Sequence, residues 1–401
     1  MIVRQLRKMA AVAAGQCRQA LGLALAVGLT AVAEVRAQAD SPTTLQVAKQ
    51  LEVPTDLLDR FERGYAEGRG TATFVLADGP QLIRVDTAGV FRKVGRAGEG
   101  PGEYRQVWQV GQGERGGPYW LADMRLMRLS RFGLNGAYLS SSGLPTTLRQ
   151  ETGALHAGFT FPFLMPAPER LVGYINVPAG GELPPWAAGR ERGDLAIVAY
   201  GTDGGNARII GWLGDQGQCT RNVPVRGRTA FLPIAFCTSP RIVSAGIGSA
   251  FALIETRAAG TERAAAWVHR IDADGDTLYS TMLPVVAAPA TRAAADSARE
   301  ALAKGMPLDF LKQAVRELPA PQYYQLFQHV LAAGDGSVWV ETIGAGGARS
   351  WLVLDPRGRV ARRILVPAGV TLMAVVGTEF AWGVLEREDG SAAVLLLRAS
   401  R

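Results

Sequence analysis

Two short strands joined by a tight turn are indicated by the sequence Ser350-Trp-Leu-Val-Leu-Asp-Pro-Arg-Gly-Arg-Val-Ala-Arg-Arg-Ile-Leu365. Apolar and β-branched residues flank the turn on both sides. Glycine readily adopts the positive φ that a tight hairpin needs, and an aspartate shortly before it can bond back to the local backbone. The stretch therefore predicts a β-hairpin whose turn is Leu354-Asp-Pro-Arg-Gly358.

The same turn design recurs elsewhere in the chain. In every copy an apolar residue precedes the glycine by four positions, and strand-like runs lie on both sides. The other copies are Val85-Asp-Thr-Ala-Gly89, Phe132-Gly-Leu-Asn-Gly136, Tyr200-Gly-Thr-Asp-Gly204 and Ile271-Asp-Ala-Asp-Gly275. Self-similarity at intervals of tens of residues is the sequence signature of a repeat architecture.

The repeated unit extends to four short strands in series. Sheets of four strands that recur in this way are typical of a β-propeller rather than of a sandwich. We therefore predict an all-β, six-bladed β-propeller that forms a single domain over residues 40–401. The predicted blades cover about 71–95, 104–141, 148–214, 241–285, 322–367 and 371–397, and Leu45–Glu52 is expected to complete the last one.

Residues 287–318 interrupt the strand pattern. The first part is rich in alanine, and Leu308, Leu311, Val315 and Leu318 then follow a helical spacing. This pattern predicts a helical insertion between blades four and five.

The first 39 residues have the pattern of a secretory signal peptide. A basic leader precedes the apolar run Ala20–Ala33, and Ala37-Gln-Ala39 fits a small-x-small cleavage site. An uncleaved membrane anchor is the alternative, although the run is shorter than the roughly 20 residues that an ordinary spanning helix needs. We expect a periplasmic or secreted protein with no transmembrane segment in the mature chain.

Removal of the leader changes the charge balance. The whole chain carries 43 basic and 36 acidic residues, and residues 1–39 account for five and one of these, so the mature chain has a net charge of +3. No basic run of the kind that binds nucleic acid remains, and nucleic acid is not an expected partner. The two cysteines of the mature chain, Cys219 and Cys237, are predicted to form a disulfide bond, as is common in an oxidising compartment.

The segment Arg96-Ala-Gly-Glu-Gly-Pro-Gly-Glu-Tyr104 follows a strand that ends in an Asp-x-x-Gly turn. This arrangement resembles the secreted six-bladed β-propeller proteins of bacteria, which are related to NHL-repeat and TolB-like propellers. The resemblance is densest over residues 72–140 and recurs over 322–398. It implies the propeller fold and carries no defined activity.

Several polar and aromatic residues are candidates for ligand binding. Gly95–Gly102 lacks the Lys-Ser/Thr that opens a helix in a phosphate loop, and Pro101 removes one backbone donor, so an inter-blade turn is the better interpretation. Charged side chains would still cluster beside this turn, and Trp186 lies in an irregular loop. The candidate binding residues are Arg96, Glu99, Glu103, Arg105, Asp123 and Trp186.

No catalytic residue and no metal ligand is predicted. Asp272-Ala-Asp-Gly-Asp276 does not match the spacing of a calcium loop, because its glycine is fourth rather than sixth. The carboxylates Asp123, Glu255 and Glu341 lie near ends of second strands, where salt bridges or turn caps explain them equally well. No cofactor is expected, and a divalent cation such as calcium is left open.

Two functions are compatible with this sequence. The first is a monomeric, non-catalytic recognition module of the cell envelope that binds a peptide, glycan or protein ligand. The alternative is a metal-dependent hydrolase or lyase, similar to propeller lactonases, with its site in the central channel. This alternative rests on fold analogy alone.

Overall fold

The computed structural model describes residues 42–400 apart from 58–60, 77–80, 114–115, 151–152, 179–181, 192, 215–218 and 226–227. The predicted signal peptide, residues 1–39, lies outside the described residues. Strands dominate the described chain, and its fold is an all-β propeller.

The first half of the chain forms sheets in sequence order. Strand β1 (Thr43–Glu52) is followed by one sheet of β2 (Phe61–Ala66), β3 (Thr71–Leu76), β4 (Gln81–Asp86) and β5 (Phe91–Val94). After the short parallel pair β6 (Arg96–Ala97) and β7 (Glu103–Tyr104), a second sheet contains β8 (Val107–Gln112), β9 (Tyr119–Asp123), β10 (Arg128–Phe132) and β11 (Tyr138–Gly143). The hairpin of β12 (Thr147–Gln150) and β13 (Gly153–Ala157) leads to a third sheet of β14 (Phe161–Ala167), β15 (Arg170–Asn176), β16 (Leu195–Gly201) and β17 (Arg208–Leu213).

The second half adds a separate hairpin, two helices and the remaining sheets. The hairpin is β18 (Thr220–Val225) and β19 (Arg228–Pro233), and the fourth sheet is β20 (Arg241–Ser244), β21 (Ala250–Arg257), β22 (Ala265–Asp272) and β23 (Thr277–Met282). Helices α1 (Arg292–Gly305) and α2 (Asp309–Glu317) follow. The last strands are β24 (Phe327–Ala332), β25 (Val338–Ile343), β26 (Arg349–Leu354), β27 (Val360–Leu365), β28 (Val370–Val376), β29 (Phe380–Glu386) and β30 (Ala392–Ala399).

The count of separate blades differs from the prediction. The described residues form four separate four-stranded sheets rather than six, because the last seven strands and β1 make one continuous sheet in the order β24-β25-β26-β27-β1-β30-β29-β28. The cause is β1, which pairs antiparallel with β30 from Leu45 to Glu52 and also pairs parallel with β27 at Thr43 and Thr44. The predicted pairing of Leu45–Glu52 with the final strands is therefore present.

The five predicted hairpin turns are confirmed. Their glycines, at 89, 136, 204, 275 and 358, have φ between 77° and 94°. In each turn an Asp or Asn side chain accepts hydrogen bonds from backbone N–H groups two or four residues later, as Asp272 does from Asp274 and Asp276 at 2.8 and 2.9 Å. The Asp272 carboxylate is thus part of the turn itself, which agrees with the interpretation of this segment as a hairpin.

The apolar core lies between neighbouring sheets. Trp120 on β9 and Trp339 and Trp382 on β25 and β29 of the eight-stranded sheet are 0% exposed. The indole Nε1 of Trp339 donates to Gly377 O in the β28–β29 turn at 2.8 Å, and that of Trp382 donates to Gly68 O in the β2–β3 connection at 3.1 Å, so each ring also bonds the next four-stranded unit. These three tryptophans therefore pack in the apolar clusters between successive four-stranded units.

The two ends of the sheets carry different connections. The first strands of successive units are the inner strands, which line the channel of a propeller. Contacts join β8 to β14, β20 to β24, β24 to β28 and β28 to β2, whereas the fourth strand β11 is exposed along its whole length. We call the end at which these inner strands begin the loop face, because the connections 95–106, 144–160, 177–194, 214–240 and 283–326 all lie there. The opposite end, which holds the five confirmed turns, is the hairpin face.

A satellite module sits on the loop face. The disulfide bond between Cys219 and Cys237, with Cα atoms 5.3 Å apart, closes the base of the β18–β19 hairpin, as predicted. Leu232 of the hairpin packs with Ala303 of α1 and Val315 of α2, and all three are buried. The two helices fall within the predicted segment 287–318, between β23 and β24.

A salt bridge joins β1 to the turn between β29 and β30, and the stability of this contact depends on pH. Arg387 donates to both carboxylate oxygens of Glu52 at 2.8 and 2.9 Å. These hydrogen bonds, with one from Gln50, lower the pKa of Glu52 from 4.5 to about 2. A depressed folded-state pKa gives stability that is present above pH 4.5 and is lost as the pH falls through 2.

We therefore expect the protection factors of the β1 amides, which correct for the intrinsic exchange rate at each pH, to fall between pH 4.5 and 2. The pair is exposed, so the effect should be small. An Arg387→Ala variant lacks the donor and should show weaker pH dependence in β1. Equal profiles in the two proteins would show that this pair does not hold the strand.

Candidate functional site

Four of the predicted binding residues lie in one loop and bind one another. Arg96 Nε donates to Glu103 Oε1 at 2.6 Å, and Gly100 N donates to Glu103 Oε2 at 2.7 Å. These two bonds, the one from Gly100 first, lower the pKa of Glu103. Arg105 Nη2 lies 2.7 Å from Glu99 Oε1. The four charged side chains thus lie together, as expected, and they form two ion pairs with one another within the loop.

The same loop is anchored to the sheets on both sides. Tyr104 is buried, and its hydroxyl donates to Val94 O at 2.7 Å while it accepts from Leu82 N at 2.9 Å. Gly95 has φ +66°, and a Cβ there would lie 2.7 Å from Gly102 O. These contacts are those of a packed turn between β5 and β8, which is the interpretation favoured by the sequence over a phosphate loop.

Asp123 caps the loop from the end of β9. Its side chain is fully buried, with Oδ2 accepting from Arg105 N at 2.5 Å and Gln106 N at 3.3 Å. Oδ1 accepts from Arg125 N and Leu126 N, both at 2.9 Å. The carboxylate has four backbone donors and no exposed surface, so its role is to hold the entry to β8 rather than to contact a ligand.

Trp186 is half-buried rather than free. Its ring stacks on Trp212 with centroids 6.2 Å apart and meets the His156 ring edge-on at 6.1 Å. The Arg190 guanidinium covers the other ring of the stack, 4.3 Å from the Trp212 centroid. These contacts fasten the loop 177–194 to the third sheet.

The channel is filled at the hairpin face. The β20–β21 connection reaches β8, where Gln112 N donates to Gly246 O at 2.5 Å. A Cβ on Gly111 would lie 2.2 Å from Gly246 O, and one on Gly246 would lie 2.8 Å from the ring of Tyr65 on β2. The sheets of β8 and β20 are separated in chain order by a whole sheet, so this contact spans the channel. We call residues 245–247 the plug.

The opposite mouth carries aromatic side chains on the side of β8 and β14. Arg63 of β2 donates to Trp108 O at 2.6 Å and to Val107 O at 3.0 Å, which fixes the start of β8. The ring of Trp108 lies 5.1 Å from that of Phe161, which stacks on Tyr174 at 5.0 Å. Trp108 and Phe161 are both partly exposed at the beginnings of inner strands, and they therefore border the loop-face mouth.

Charged groups occupy the β20 and β24 side of the mouth. His329 Nδ1 and Glu341 Oε2 are 2.7 Å apart, and Arg349 Nη1 lies 3.9 Å from Glu341 Oε1. Arg241, exposed at the start of β20, places its guanidinium 5.8 Å from the Phe327 ring. Glu341 itself is buried beneath His329 and Arg349. The mouth thus presents exposed cations opposite aromatic rings.

The sequence prediction did not include these mouth residues. The strand segments that contain Trp108 and His329 are evident from the repeat, and inner strands of a propeller line its channel. The repeat together with the inner position of the first strand of each unit could therefore have identified the mouth residues. Glu341 and Glu255 each lie beside a histidine, with Glu341 Oε2 2.7 Å from His329 Nδ1 and Glu255 Oε2 3.6 Å from His269 Nε2.

Within the described ranges, no group of three or more His, Cys, Asp or Glu side chains is arranged to hold a metal ion. Among the same residues, none of the helices has the length and apolar character that a membrane span requires.

No family model matches the chain, and no curated protein matches its sequence. It is similar to the solved structure of a DUF4221 family member from Bacteroides vulgatus, with TM-score 0.47, 11% identity and coverage of 90% of this chain and 99% of that one. It is also similar to a candidate exported protein of Bacteroides fragilis, with TM-score 0.45, 11% identity and coverage of 91% and 97%. The Cps50 (Swd1) β-propeller domain of Myceliophteria thermophila gives TM-score 0.38, 10% identity and coverage of 89% and 100%. Similarity at this level says nothing about ligand or activity.

Proposed function

We propose that the protein is an exported, monomeric propeller that acts as a recognition module of the cell envelope and binds a peptide segment of its partner at the loop-face mouth. The observation that carries this proposal is the difference between the two ends of the channel. The plug fills the hairpin-face end through Gly246 and Ile247, whereas half-exposed aromatic rings and cations border the other end.

The chemistry of the mouth suits a peptide with apolar and acidic side chains. Trp108 and Phe161 offer rings for apolar side chains, and aromatic residues with arginine dominate binding energy in interfaces. Arg241, Arg349 and His329 offer donors for a carboxylate. A ligand that spans the mouth would meet both sets at once.

The propeller has six blades under this proposal, with the eight-stranded sheet counted as two. Apolar clusters in the described residues support the count, since each fills the space between two successive four-stranded units. Six such clusters close the ring, each between one unit and the next. The units follow one another in the order β2–β5, β8–β11, β14–β17, β20–β23, β24–β27 and β28–β30 with β1, and the sixth cluster joins this last unit to β2–β5. In this count helices α1 and α2 lie between blades four and five.

Export is supported by two independent features. The signal peptide pattern of residues 1–39 predicts passage through the inner membrane. The Cys219–Cys237 bond is of the kind that persists in oxidising compartments. Residues 40–401 would then form the mature single-domain protein in the periplasm or outside the cell.

Selection from a display library of random peptides on immobilised mature protein tests the proposed site. We expect enriched peptides with apolar and acidic residues. A Trp108→Ala variant should bind them about thirtyfold more weakly, because truncating an aromatic anchor costs about 2 kcal/mol. Affinity is measured by fluorescence titration.

The matched control is Leu139→Ala, which removes a 54% exposed apolar side chain from the outer strand β11. This variant should bind like the wild type. Enrichment of no peptide, binding that is indifferent to Trp108→Ala, or selective capture on a glycan array instead would each overturn the peptide proposal.

A further inference from the structure

A second cluster of reactive groups lies on β21–β23, away from the channel mouth. His269 Nδ1 and Ser280 Oγ are 2.9 Å apart, and His269 Nε2 lies 3.6 Å from Glu255 Oε2. A hydroxyl within reach of an imidazole that faces a carboxylate is the arrangement of an activated nucleophile. The interaction with His269 is the main influence that lowers the pKa of Glu255.

The register of the sheet produces this alignment. Strands β22 and β23 are joined by the Asp272–Asp276 turn and pair His269 directly with Ser280. On the other side β21 pairs Leu253 with His269, which places Glu255 diagonally beside the ring. Because alternate residues of a strand share a face, all three side chains lie on the same face of the sheet.

This face is accessible to a small reagent. Ser280 is exposed on the outer strand of its sheet. Beside it, Met282 is 61% exposed, and its pairing partner Trp267 is half-buried under the guanidinium of Arg257 at 4.9 Å. An open cavity of about 210 Å³ reaches Glu255 and Arg257 from the neighbouring loop at 191–194. An acyl group attached to Ser280 would have apolar surface beside it.

We propose that Ser280 is a nucleophile that activated esters acylate, with His269 as its general base and Glu255 as the positioning residue. The Ser280 oxygen attacks the ester carbonyl while its proton passes to His269 Nδ1. The carbon–oxygen bond to the leaving group then breaks, and the leaving group departs with that proton or as its anion. Water later hydrolyses the acyl-serine and regenerates the hydroxyl. In an edge strand such as β23, alternate N–H groups face away from the ladder and can donate to the developing oxyanion.

The test incubates the mature protein with p-nitrophenyl acetate. We expect release of p-nitrophenolate and acetylation of the peptide that contains Ser280, found by mass spectrometry. Ser280→Ala should abolish that label, and His269→Gln should slow it about a hundredfold, since general base catalysis contributes about that much. Ser140→Ala removes a serine from the outer strand β11 of another sheet and should label normally.

Glu255 is distinguished from a purely structural residue by its two conservative variants. Glu255→Gln should slow acylation, and Glu255→Asp, which keeps the carboxylate, should restore part of the rate at an unchanged melting temperature. Equal label in wild type and His269→Gln, or label spread over surface lysines with none at Ser280, overturns the proposal. Trp108→Ala leaves this cluster intact, so failure here and failure of peptide binding are separate results.

Discussion

Replacing Asp123 with alanine is expected to lower the free energy of unfolding by about 4 kcal/mol. The carboxylate is fully buried and accepts four backbone N–H groups, two from each of the segments that it joins. Each buried donor left without an acceptor costs about 1–3 kcal/mol, and hydrogen bonds to charged groups are among the stronger ones. Urea denaturation followed by tryptophan fluorescence measures the loss.

Two comparison variants test whether the hydrogen bonds of Asp123 account for this loss of stability. Asp123→Asn keeps one acceptor oxygen and should lose less stability than alanine. Asp203→Ala removes an exposed turn carboxylate that accepts from Gly205 N, and it should cost less than about 1 kcal/mol. If Asp123→Ala were no more damaging than Asp203→Ala, the four hydrogen bonds would not carry the stability assigned to them.

Loss of the disulfide bond is expected to unfold the satellite module and leave the propeller folded. Strands β18 and β19 pair only with each other, and an isolated hairpin is marginally stable. The bond closes a loop with a sequence separation of 18, which is worth about 3 kcal/mol in the chain-entropy model. In a Cys219→Ser, Cys237→Ser variant, amide protection in β18–β19 and in the helices should fall about a hundredfold.

Hydrogen exchange also provides the control for this result. The sheet of β8–β11 has no contact with the module's apolar cluster, and its protection should not change. Dithiothreitol acting on the wild type should give the same pattern as the double variant. Equal loss of protection in both regions would mean that the module and the propeller unfold as one unit.

The sequence predicted the turns well, because their signals are local. An aspartate that bonds forward to the backbone and a glycine with positive φ need no distant partner, so Asp355 and Gly358 could be interpreted from five residues. The disulfide was predicted from the two cysteines that remain once the predicted signal peptide is removed.

The parts that were missed depend on contacts between distant segments. Nothing local at Thr43 shows that it pairs with Ile364 and thereby fuses two blades into one sheet. The plug needs Gly111 and Gly246, which are far apart in the chain, to lie in contact. The charged side chains of the loop at 96–105 cluster as predicted, but they pair with one another because the loop folds on itself.

The His269–Ser280 pair lies between these cases. Counting outward from the Asp272–Gly275 turn brings His269 and Ser280 within one position of each other, so their proximity was available from the sequence. A register shift between Arg270 and Ile271 sets the exact pairing. The position of Glu255 could not be predicted from the sequence, because it depends on the register of β21, which is joined to β22 by a longer connection.

The pairing of β1 with β30 has a consequence for how the molecule matures. Strand β1 pairs with β30, so this contact can form only after Ala392–Ala399 have been synthesised. Contacts so distant in sequence form slowly, since the loop must close before they contribute. In the exported chain that we propose, the ring would therefore stay open until β30 has crossed the membrane, and the pairing of β1 with β30 would form only on the far side.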